Sequence, residues 1–259
     1  MNTLPLWNTP VDGELQPYLT PFLLPGETVR PCIIVCPGGG YCHRARHEAD
    51  PIAQKFNELG FHAFVLEYRV HPQAHYPEPQ RDALRAIKIV RSRADEFHVR
   101  PDAIAILGFS AGGHLAGSAS FLYDKVEANA GDAADAVSAR PDASILCYAV
   151  LSGVEGSHGG SFKNLLGTET PAEADLLALS AERNVDADTP PAFLWHTAED
   201  GAVPVENSLN YAAALRKGGI PFALHVFPFG PHGVGLAPDR PDVSRWPDLC
   251  ADFLHRLGW

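Results

Sequence analysis

Residues Leu107–Gly113 read Leu-Gly-Phe-Ser-Ala-Gly-Gly, and this short run constrains the fold more than any other part of the chain. It contains the pattern Gly-x-Ser-x-Gly at Gly108, Ser110 and Gly112, which turns a strand sharply into a helix and exposes the serine at the turn. Glycines are needed because side chains at those two positions would collide with the turning backbone. The pattern predicts Ser110 as a candidate nucleophile.

The sequence on either side of this motif fits the strand and the helix that it requires. Residues Ala103–Leu107 form a short apolar run, typical of a buried strand. Residues Ala111–Leu122 are small and apolar and contain no proline, which favours a helix packed on a sheet. A chance match to the motif would not need a strand before it and a helix after it. Since both are predicted here, we interpret Ser110 as a nucleophile.

Apolar runs alternate with helical patterns from Cys32 to the C-terminus. The predicted strands are 32–36, 62–68, 104–107, 143–151, 192–196 and 222–227, and the predicted helices are 51–59, 78–97, 111–122, 172–179, 205–217 and 242–257. This alternation predicts an α/β fold with a mostly parallel sheet and helices on both faces. The strands are apolar throughout, as expected for strands buried on both sides.

The length of 259 residues is consistent with a single domain over residues 1–259. Two segments do not fit the alternation. Segment 123–141 is rich in alanine and aspartate and is interpreted as a surface insertion. Segment 153–191 is a candidate lid or pocket wall, because segments that leave the carboxyl ends of strands build the ligand pocket in such sheets. A connector without substrate contact is the alternative for this second segment.

Charge and cysteine content narrow the classes of partner. The formal net charge is −11 and no basic cluster is visible, which argues against nucleic acid or an anionic membrane as a partner. No stretch reaches the roughly 18 apolar residues that span a bilayer, and 1–10 lacks the pattern of a secretory signal. We expect reduced, buried thiols in a cytoplasmic protein, because no disulfide or zinc spacing connects the five cysteines, Cys32, Cys36, Cys42, Cys147 and Cys250.

A serine nucleophile needs a base within hydrogen-bond distance and a third group that orients the base. In the fold that the motif implies, the acid follows the strand before the last and the histidine follows the last strand. Asp200 comes directly after the predicted strand 192–196, and His232 follows the strand 222–227 in a loop of glycines and prolines. The sequence therefore predicts that Ser110, Asp200 and His232 meet at one edge of the sheet.

Other candidates for these roles fit less well. His196 and His225 lie inside predicted strands and are interpreted as core or sheet residues. His114 is one turn beyond the serine on the same predicted helix, where it is expected to pack beneath or beside the site. Glu199 precedes Asp200, and the aspartate is the residue that we expect the turn to direct at the histidine.

The run Pro37–Tyr41, Pro-Gly-Gly-Gly-Tyr, follows the first predicted strand. One interpretation is a flexible loop without a role. The other is that its backbone amides, with the amide of Ala111 after the nucleophile, stabilise the oxyanion of an acyl-transfer reaction. A phosphate-binding loop would require a Lys-Ser or Lys-Thr pair after the glycines, and none follows.

The chain resembles the α/β-hydrolase superfamily, and within it small serine esterases related to the hormone-sensitive-lipase group and to bacterial acetyl-xylan esterases. The resemblance extends from about Cys32 onward and rests on the motifs PGGGY, FVLEYRV, RDALRAIKIVR, GFSAGGHLA, TAEDGAVPVENSL and GPHGVGL. It implies an α/β-hydrolase fold in which Ser110 is the nucleophile, Asp200 the acid and His232 the base.

The same resemblance implies that the amides of Gly39, Gly40 and Ala111 form the oxyanion hole. Pro37 stands where many lipase-type relatives have a histidine that supports this loop, so the support must differ here and the change points toward the acetyl-esterase branch. Tyr41 follows the glycines as a candidate substrate contact, with a purely structural role as the alternative.

The segment 1–31 is too short and too rich in proline for the helical cap of the larger lipases, so we expect little or no cap domain and a small or open pocket. The leading hypothesis is a serine carboxylesterase for short, acetyl-like acyl esters, including those of acetylated sugars, with a small-molecule ester as its partner. The alternatives are a peptidase or amidase of the same fold, and a catalytically silent fold that binds a small molecule. The expected mechanism uses no metal or organic cofactor.

Overall fold

The computed structural model describes residues 3–8 and 16–259. Within these ranges the strands are β1 Leu4–Pro5, β2 Tyr18–Phe22, β3 Arg30–Cys36, β4 His62–Glu67, β5 Val99–Phe109, β6 Ala143–Cys147, β7 Ala192–Thr197 and β8 Phe222–Phe227. The helices are α1 Asp50–Glu58, α2 Glu78–Ser92, α3 Ala94–Phe97, α4 Ser110–Leu122, α5 Gly159–Leu166, α6 Glu173–Ala178, α7 Glu206–Gly218 and α8 Trp246–Arg256.

The strands form one sheet in the order β1-β2-β4-β3-β5-β6-β7-β8. Strands β3 to β8 pair in parallel, whereas β1 and β2 run antiparallel to their neighbours. Because the strands from β3 onward are parallel, their carboxyl ends lie along one edge of the sheet. The predicted α/β fold with a mostly parallel sheet is confirmed.

Helices cover both faces of the sheet, as the sequence predicts. Along β3, Ile34 belongs to the core on the face of α2 and α4, and Ile33 and Val35 belong to the core on the face of α1 and α8. Consecutive strand side chains point to opposite faces, so a strand buried on both faces must be apolar at every position. This requirement explains the continuously apolar runs in the sequence.

The observed elements differ from the predicted ones in a few places. The predicted helix 78–97 breaks at Arg93 into α2 and α3, and β5 extends well before the predicted strand 104–107. The predicted strand 143–151 ends at Cys147, because Tyr148 adopts a positive φ of 35° and turns the chain out of the sheet. Helix α5 was not predicted.

The N-terminal region adds two strands that the sequence did not predict, since both are short and each contains a proline. Of the predicted segment 1–31, residues 1–2 and 9–15 lie outside the described residues. Trp7 anchors the described part, because its indole N–H donates to Asp82 Oδ1 at 2.8 Å and the Arg81 guanidinium lies 5.1 Å from its ring centroid.

The segment 123–141 is held against α2 by charged contacts. Arg85 is buried and pairs with Asp132 and Asp135, and Arg91 donates to the carbonyl of Ser138 at 2.5 Å. Among the described residues, no helix combines the length and the apolarity that a bilayer crossing requires.

Candidate active site

Ser110 lies at the sharp turn from β5 into α4, and its backbone φ is 52°, in the left-handed region. A Cβ on Gly108 would lie 1.9 Å from the carbonyl oxygen of Gly112, and one on Gly112 would lie 2.2 Å from the carbonyl oxygen of Cys36. Only glycine fits at both positions, so the steric reason inferred from the sequence holds in the structure.

Hydrogen bonds connect Ser110, His232 and Asp200 in the predicted order. Ser110 Oγ lies 2.8 Å from His232 Nε2, and His232 Nδ1 lies 2.6 Å from Asp200 Oδ2. Because the carboxylate accepts the Nδ1 proton, the neutral imidazole presents an unprotonated Nε2 to the serine hydroxyl. The three residues follow β5, β7 and β8, whose carboxyl ends share one sheet edge.

Asp200 is buried and is fixed by more than His232. Its Oδ1 accepts the amides of Ala202 and Val203, each at 2.9 Å. Burial raises the pKa of Asp200, but the hydrogen bonds from His196, His232 and the Val203 amide outweigh it and hold the pKa well below its usual value. The carboxyl group is therefore ionised at neutral pH. Its neighbour Glu199 instead accepts the amide of Gly230 at 3.3 Å.

His196 contacts the site from inside β7, a role that the sequence reasoning missed. Its Nε2 lies 2.9 Å from the carbonyl oxygen of Val203 and 3.3 Å from Asp200 Oδ2, while its Nδ1 faces Ser208 Oγ at 2.8 Å. The prediction that His196 is a buried strand residue is confirmed. The available sequence signal was its position four residues before the predicted acid.

The glycine run forms a tight loop beside Ser110. Gly39 and Gly40 have φ values of 132° and 61°, and a Cβ on Gly39 would lie 2.3 Å from the carbonyl oxygen of His43. Within the described ranges, the amides of Gly39, Gly40 and Ala111 donate to no protein acceptor. These three N–H groups are therefore unpaired in this part of the chain, and Ala111 lies in the first turn of α4, at its positive end.

Tyr41 lies behind this loop and outside the lining of the cavity. The side chain is buried, and its hydroxyl lies 2.7 Å from His114 Nδ1. This position favours the structural alternative and not the substrate contact. His114 packs beneath the site as predicted, and burial lowers its pKa to about 4, against the smaller raising effect of its bond to the Leu179 carbonyl.

A cavity of about 390 Å³ opens in front of Ser110. Segment 153–191 contributes three of its lining residues, and the Asn164 side chain also donates to the carbonyl oxygen of Gly40 at 2.7 Å. The complete lining is Gly39, Gly40, Cys42, His43, Ala45, His47, Glu48, Ser110, His158, Gly160, Asn164, His232 and Gly233.

Two parts of this lining depart from the sequence reasoning. Cys42 is exposed, whereas the other four cysteines are buried, so the expectation of five buried thiols is wrong at this position. Cys42 lies in the irregular loop after the glycine run and not in a strand. Glu48, His158 and Asn164 were not predicted as site residues, because their neighbourhood in sequence carries no motif.

The model of the BD-FAE family matches residues 23–215 of the chain. Endo-1,4-beta-xylanase B of Butyrivibrio fibrisolvens is 40% identical over 227 residues, which are 86% of this chain and 35% of that protein. The acetylxylan esterase of Xylanibacter ruminicola is 33% identical over 252 residues, which are 95% of this chain and 48% of that protein. The chain thus spans between a third and a half of the length of these two curated relatives.

Among solved structures, the acetyl ester-xyloside bifunctional hydrolase of Caldicellulosiruptor lactoaceticus is similar over nearly its whole length. The TM-score is 0.94 at 45% identity, covering 99% of this chain and 96% of that one. The sheet order, the serine turn and the family match over residues 23–215 agree. The chain therefore belongs to the BD-FAE family and has the α/β-hydrolase fold.

Proposed function

We propose that this chain is a serine carboxylesterase that removes short acyl groups, acetyl above all, from sugars. The observation that carries the proposal is the hydrogen-bonded series of Ser110, His232 and Asp200, with distances of 2.8 and 2.6 Å, facing a cavity that Gly39 and Gly40 also line. This arrangement supplies a nucleophile, its base and donors for an oxyanion at one place.

In the proposed reaction, Ser110 Oγ attacks the ester carbonyl carbon while His232 Nε2 accepts the hydroxyl proton. The amides of Gly39, Gly40 and Ala111 donate to the oxyanion of the tetrahedral intermediate. The C–O bond to the alcohol then breaks, and the leaving oxygen takes the proton from His232. The products of this half-reaction are the free alcohol and an ester of Ser110.

Water completes the proposed cycle. His232 accepts a proton from the water that attacks the acyl-serine, and the second tetrahedral intermediate uses the same amides. Collapse of this intermediate releases the carboxylic acid and returns the proton to Ser110 Oγ. Asp200 stays ionised throughout and stabilises the imidazolium form of His232, in agreement with its lowered pKa.

The rim of the cavity carries exposed polar side chains. His43 and His47 are exposed at its rim, and the volume is about 390 Å³. Two relatives are named as an acetylxylan esterase and as an acetyl ester-xyloside bifunctional hydrolase. These names support acetylated sugars as the substrate class, for which we expect activity that falls steeply from acetate to octanoate esters.

His158 is a candidate contact for the sugar. Its Nδ1 accepts the Ser161 amide at 3.3 Å, so the proton of the neutral ring is on Nε2. Burial, and then the neighbouring His232, lower the pKa of His158 and keep the ring neutral. Because His158 lines the cavity, its Nε2–H is a donor suited to an oxygen of the alcohol half.

The test compares hydrolysis of chromogenic acetate, butyrate and octanoate esters by the wild type, Ser110→Ala and Ser118→Ala. Ser118 is a matched control, since it is a buried serine on the same helix that donates to the Leu115 carbonyl at 2.9 Å. We expect acetate turnover in the wild type and the control and none above background in Ser110→Ala. Acetate turnover that persists in Ser110→Ala would contradict the proposal.

Two further assays separate the alternatives. A fluorophosphonate probe labels an activated serine, so labelling of the wild type but not of Ser110→Ala is expected, and a silent binding fold would remain unlabelled. Turnover of acyl anilides but not of acetate esters would favour the amidase alternative. Release of acetate from acetylated xylo-oligosaccharides then tests the substrate class.

We infer that residues 1–259 act as one catalytic unit and that segment 153–191 serves as a wall of its pocket. The three cavity-lining residues of that segment, His158, Gly160 and Asn164, support the second inference. A cytoplasmic location is part of the same proposal, supported by five free cysteines, one of them exposed. Fractionation of the source cells, with the esterase followed by activity, tests it.

A further inference from the structure

Glu48 is a buried carboxylate that the proposed mechanism does not use. Glu48 is 2% exposed, and in the described part of the chain no lysine or arginine pairs with it; His47 Nε2 lies 3.7 Å from its Oε1. Burying a carboxylate without a cation is unfavourable unless hydrogen bonds replace its hydration. Both oxygens of Glu48 have such partners, and each partner belongs to a different loop of the candidate site.

The first partner is the glycine loop. Glu48 Oε2 accepts the amide of Gly38 at 2.8 Å. That amide immediately precedes Gly39 and Gly40, whose own amides are the proposed oxyanion donors. A Cβ on Gly38 would lie 2.7 Å from both Glu48 Oε2 and the Phe109 carbonyl oxygen, so the backbone and the carboxylate are in close contact here. Fixing this peptide therefore fixes the direction of the N–H groups that follow it.

The second partner is Tyr148, at the end of β6. Its hydroxyl donates to Glu48 Oε1 at 2.5 Å and accepts the amide of Gly235 at 2.9 Å. The Tyr148 ring also packs edge-on against His232, with ring centroids 5.0 Å apart. Since Gly235 is three residues after His232, the tyrosine holds both the histidine loop and the histidine ring.

We infer that Glu48 is a positioning residue that, through Tyr148, sets the distance between the oxyanion-binding amides and His232. The inference rests on the proposed function. The two loops follow β3 and β8, which three strands separate in the sheet, so sheet pairing alone does not determine how they meet. An exposed bond from His47 Nε2 to the Gly233 carbonyl also joins them, but the Glu48 bonds are shielded from water.

Glu48 and Tyr148 form a hydrogen-bonded bridge between the glycine loop and the histidine loop. A carboxylate suits this bridge because two donors converge on it. Gly38 N–H and Tyr148 O–H each need an acceptor, and Glu48 offers one oxygen to each. Glutamine has a single acceptor oxygen, so with that oxygen on Gly38 N–H its NH₂ group meets the Tyr148 hydroxyl, which can then only accept; Glu48→Gln therefore replaces a short, charge-assisted bond by a weaker neutral one of opposite direction. Tyr148→Phe breaks the same bridge from the other side while keeping the ring against His232.

The experiment measures kcat and KM for an acetate ester in the wild type, Glu48→Gln, Tyr148→Phe and the double variant. The concentration of active sites is taken from complete labelling by fluorophosphonate. We expect kcat to fall about 10- to 100-fold in each single variant, because a small displacement of reacting groups has effects of this size, while KM changes little. The double variant should be no slower than the slower single variant, because both act on one bridge.

Matched controls remove similar groups outside the cavity. Glu182→Gln alters a partly buried carboxylate that accepts the Ser152 hydroxyl at 2.9 Å, and Tyr211→Phe removes the hydroxyl of a buried tyrosine on α7. Both should keep the wild-type kcat. The acid limb of the kcat/KM pH profile should also stay in place in Tyr148→Phe, which removes a hydroxyl and no charge, because the bridge acts on geometry.

Three results would overturn the inference. The first is a wild-type kcat in both bridge variants, even with a lowered melting temperature. The second is a multiplicative loss in the double variant, and the third is a shifted acid limb with an unchanged plateau in Tyr148→Phe. If Glu48→Gln does not fold, Tyr148→Phe alone decides. An inactive wild type would refute the proposed function itself, whereas Ser110-dependent activity that keeps the wild-type kcat in the bridge variants refutes only the role of Glu48.

Discussion

The histidine beneath the active site should make the protein sensitive to acid in a measurable way. His114 is 1% exposed, its Nε2 lies 2.9 Å from the Leu179 carbonyl oxygen, and its Nδ1 lies 2.7 Å from the Tyr41 hydroxyl. Nε2 donates to the carbonyl, and in the neutral ring, which burial favours, Nδ1 accepts the Tyr41 hydroxyl. Replacement by glutamine keeps a donor and an acceptor on a side chain that takes up no proton.

The size of this loss of folding stability follows from the pKa of His114. Burial lowers the pKa of His114 from 6.5 to about 4, and each pKa unit corresponds to about 1.4 kcal/mol of folding free energy. Between pH 6.5 and pH 4 the unfolded chain binds a proton at this residue and the folded chain does not, so stability falls as the pH falls through this range. His114 thus accounts for a loss of about 2 kcal/mol at pH 5 and about 3 kcal/mol at pH 4.

The assay is urea unfolding of the wild type and His114→Gln at pH 7.5, 6 and 5. Subtracting the two curves cancels every other titrating group, so between pH 7.5 and pH 5 the variant should lose about 2 kcal/mol less than the wild type. His43→Gln, at an exposed histidine, is the control and should follow the wild type. Equal losses of free energy in the wild type and His114→Gln over this range would refute the reasoning.

Three further outcomes test the site. Asp200→Asn should lower kcat for acetate esters about 10⁴-fold, because an amide no longer holds His232 in the tautomer that accepts the serine proton; a loss below about tenfold would contradict this role. Gly112→Ala should prevent folding or lower the melting temperature strongly, since its Cβ would lie 2.2 Å from a carbonyl oxygen, whereas Gly159→Ala, with open space around its Cβ, should not. His158→Phe should raise KM for acetylated xylo-oligosaccharides with less effect on phenyl acetate, measured by acetate release; equal effects on both would exclude a contact with the sugar.

The sequence predicted the parallel part of the sheet and the serine turn. It also predicted Asp200 and His232, which hydrogen bonds connect to Ser110 in the structure. The prediction succeeds because its signals are local. Gly108 and Gly112 are required by the sterics of a single turn, and Asp200 and His232 each lie in the loop that follows a strand. In a parallel sheet the carboxyl ends of strands lie at one edge, so chain order alone indicates which loops meet.

The residues missed by the sequence reasoning are those whose role depends on contacts between distant parts of the chain. Glu48 and Tyr148 are 100 residues apart. Tyr148 also lies in an apolar run that reads as continuous strand, and only its positive φ takes it out of the sheet. His196 belongs to a strand by every local criterion, and its contact with Asp200 arises because the chain turns back immediately after β7.

Backbone strain is concentrated where these distant contacts meet. Three of the five non-glycine residues with positive φ in the described ranges are Tyr41, Ser110 and Tyr148, with φ of 58°, 52° and 35°. Each such conformation costs on the order of 1–3 kcal/mol and persists only where the surroundings enforce it. Here the Tyr41 and Tyr148 hydroxyls bind His114 and Glu48, and the carbonyl of Ser110 accepts the Val150 amide. The buried polar network around the site therefore holds the backbone in the strained conformations that direct its side chains and amides toward one cavity.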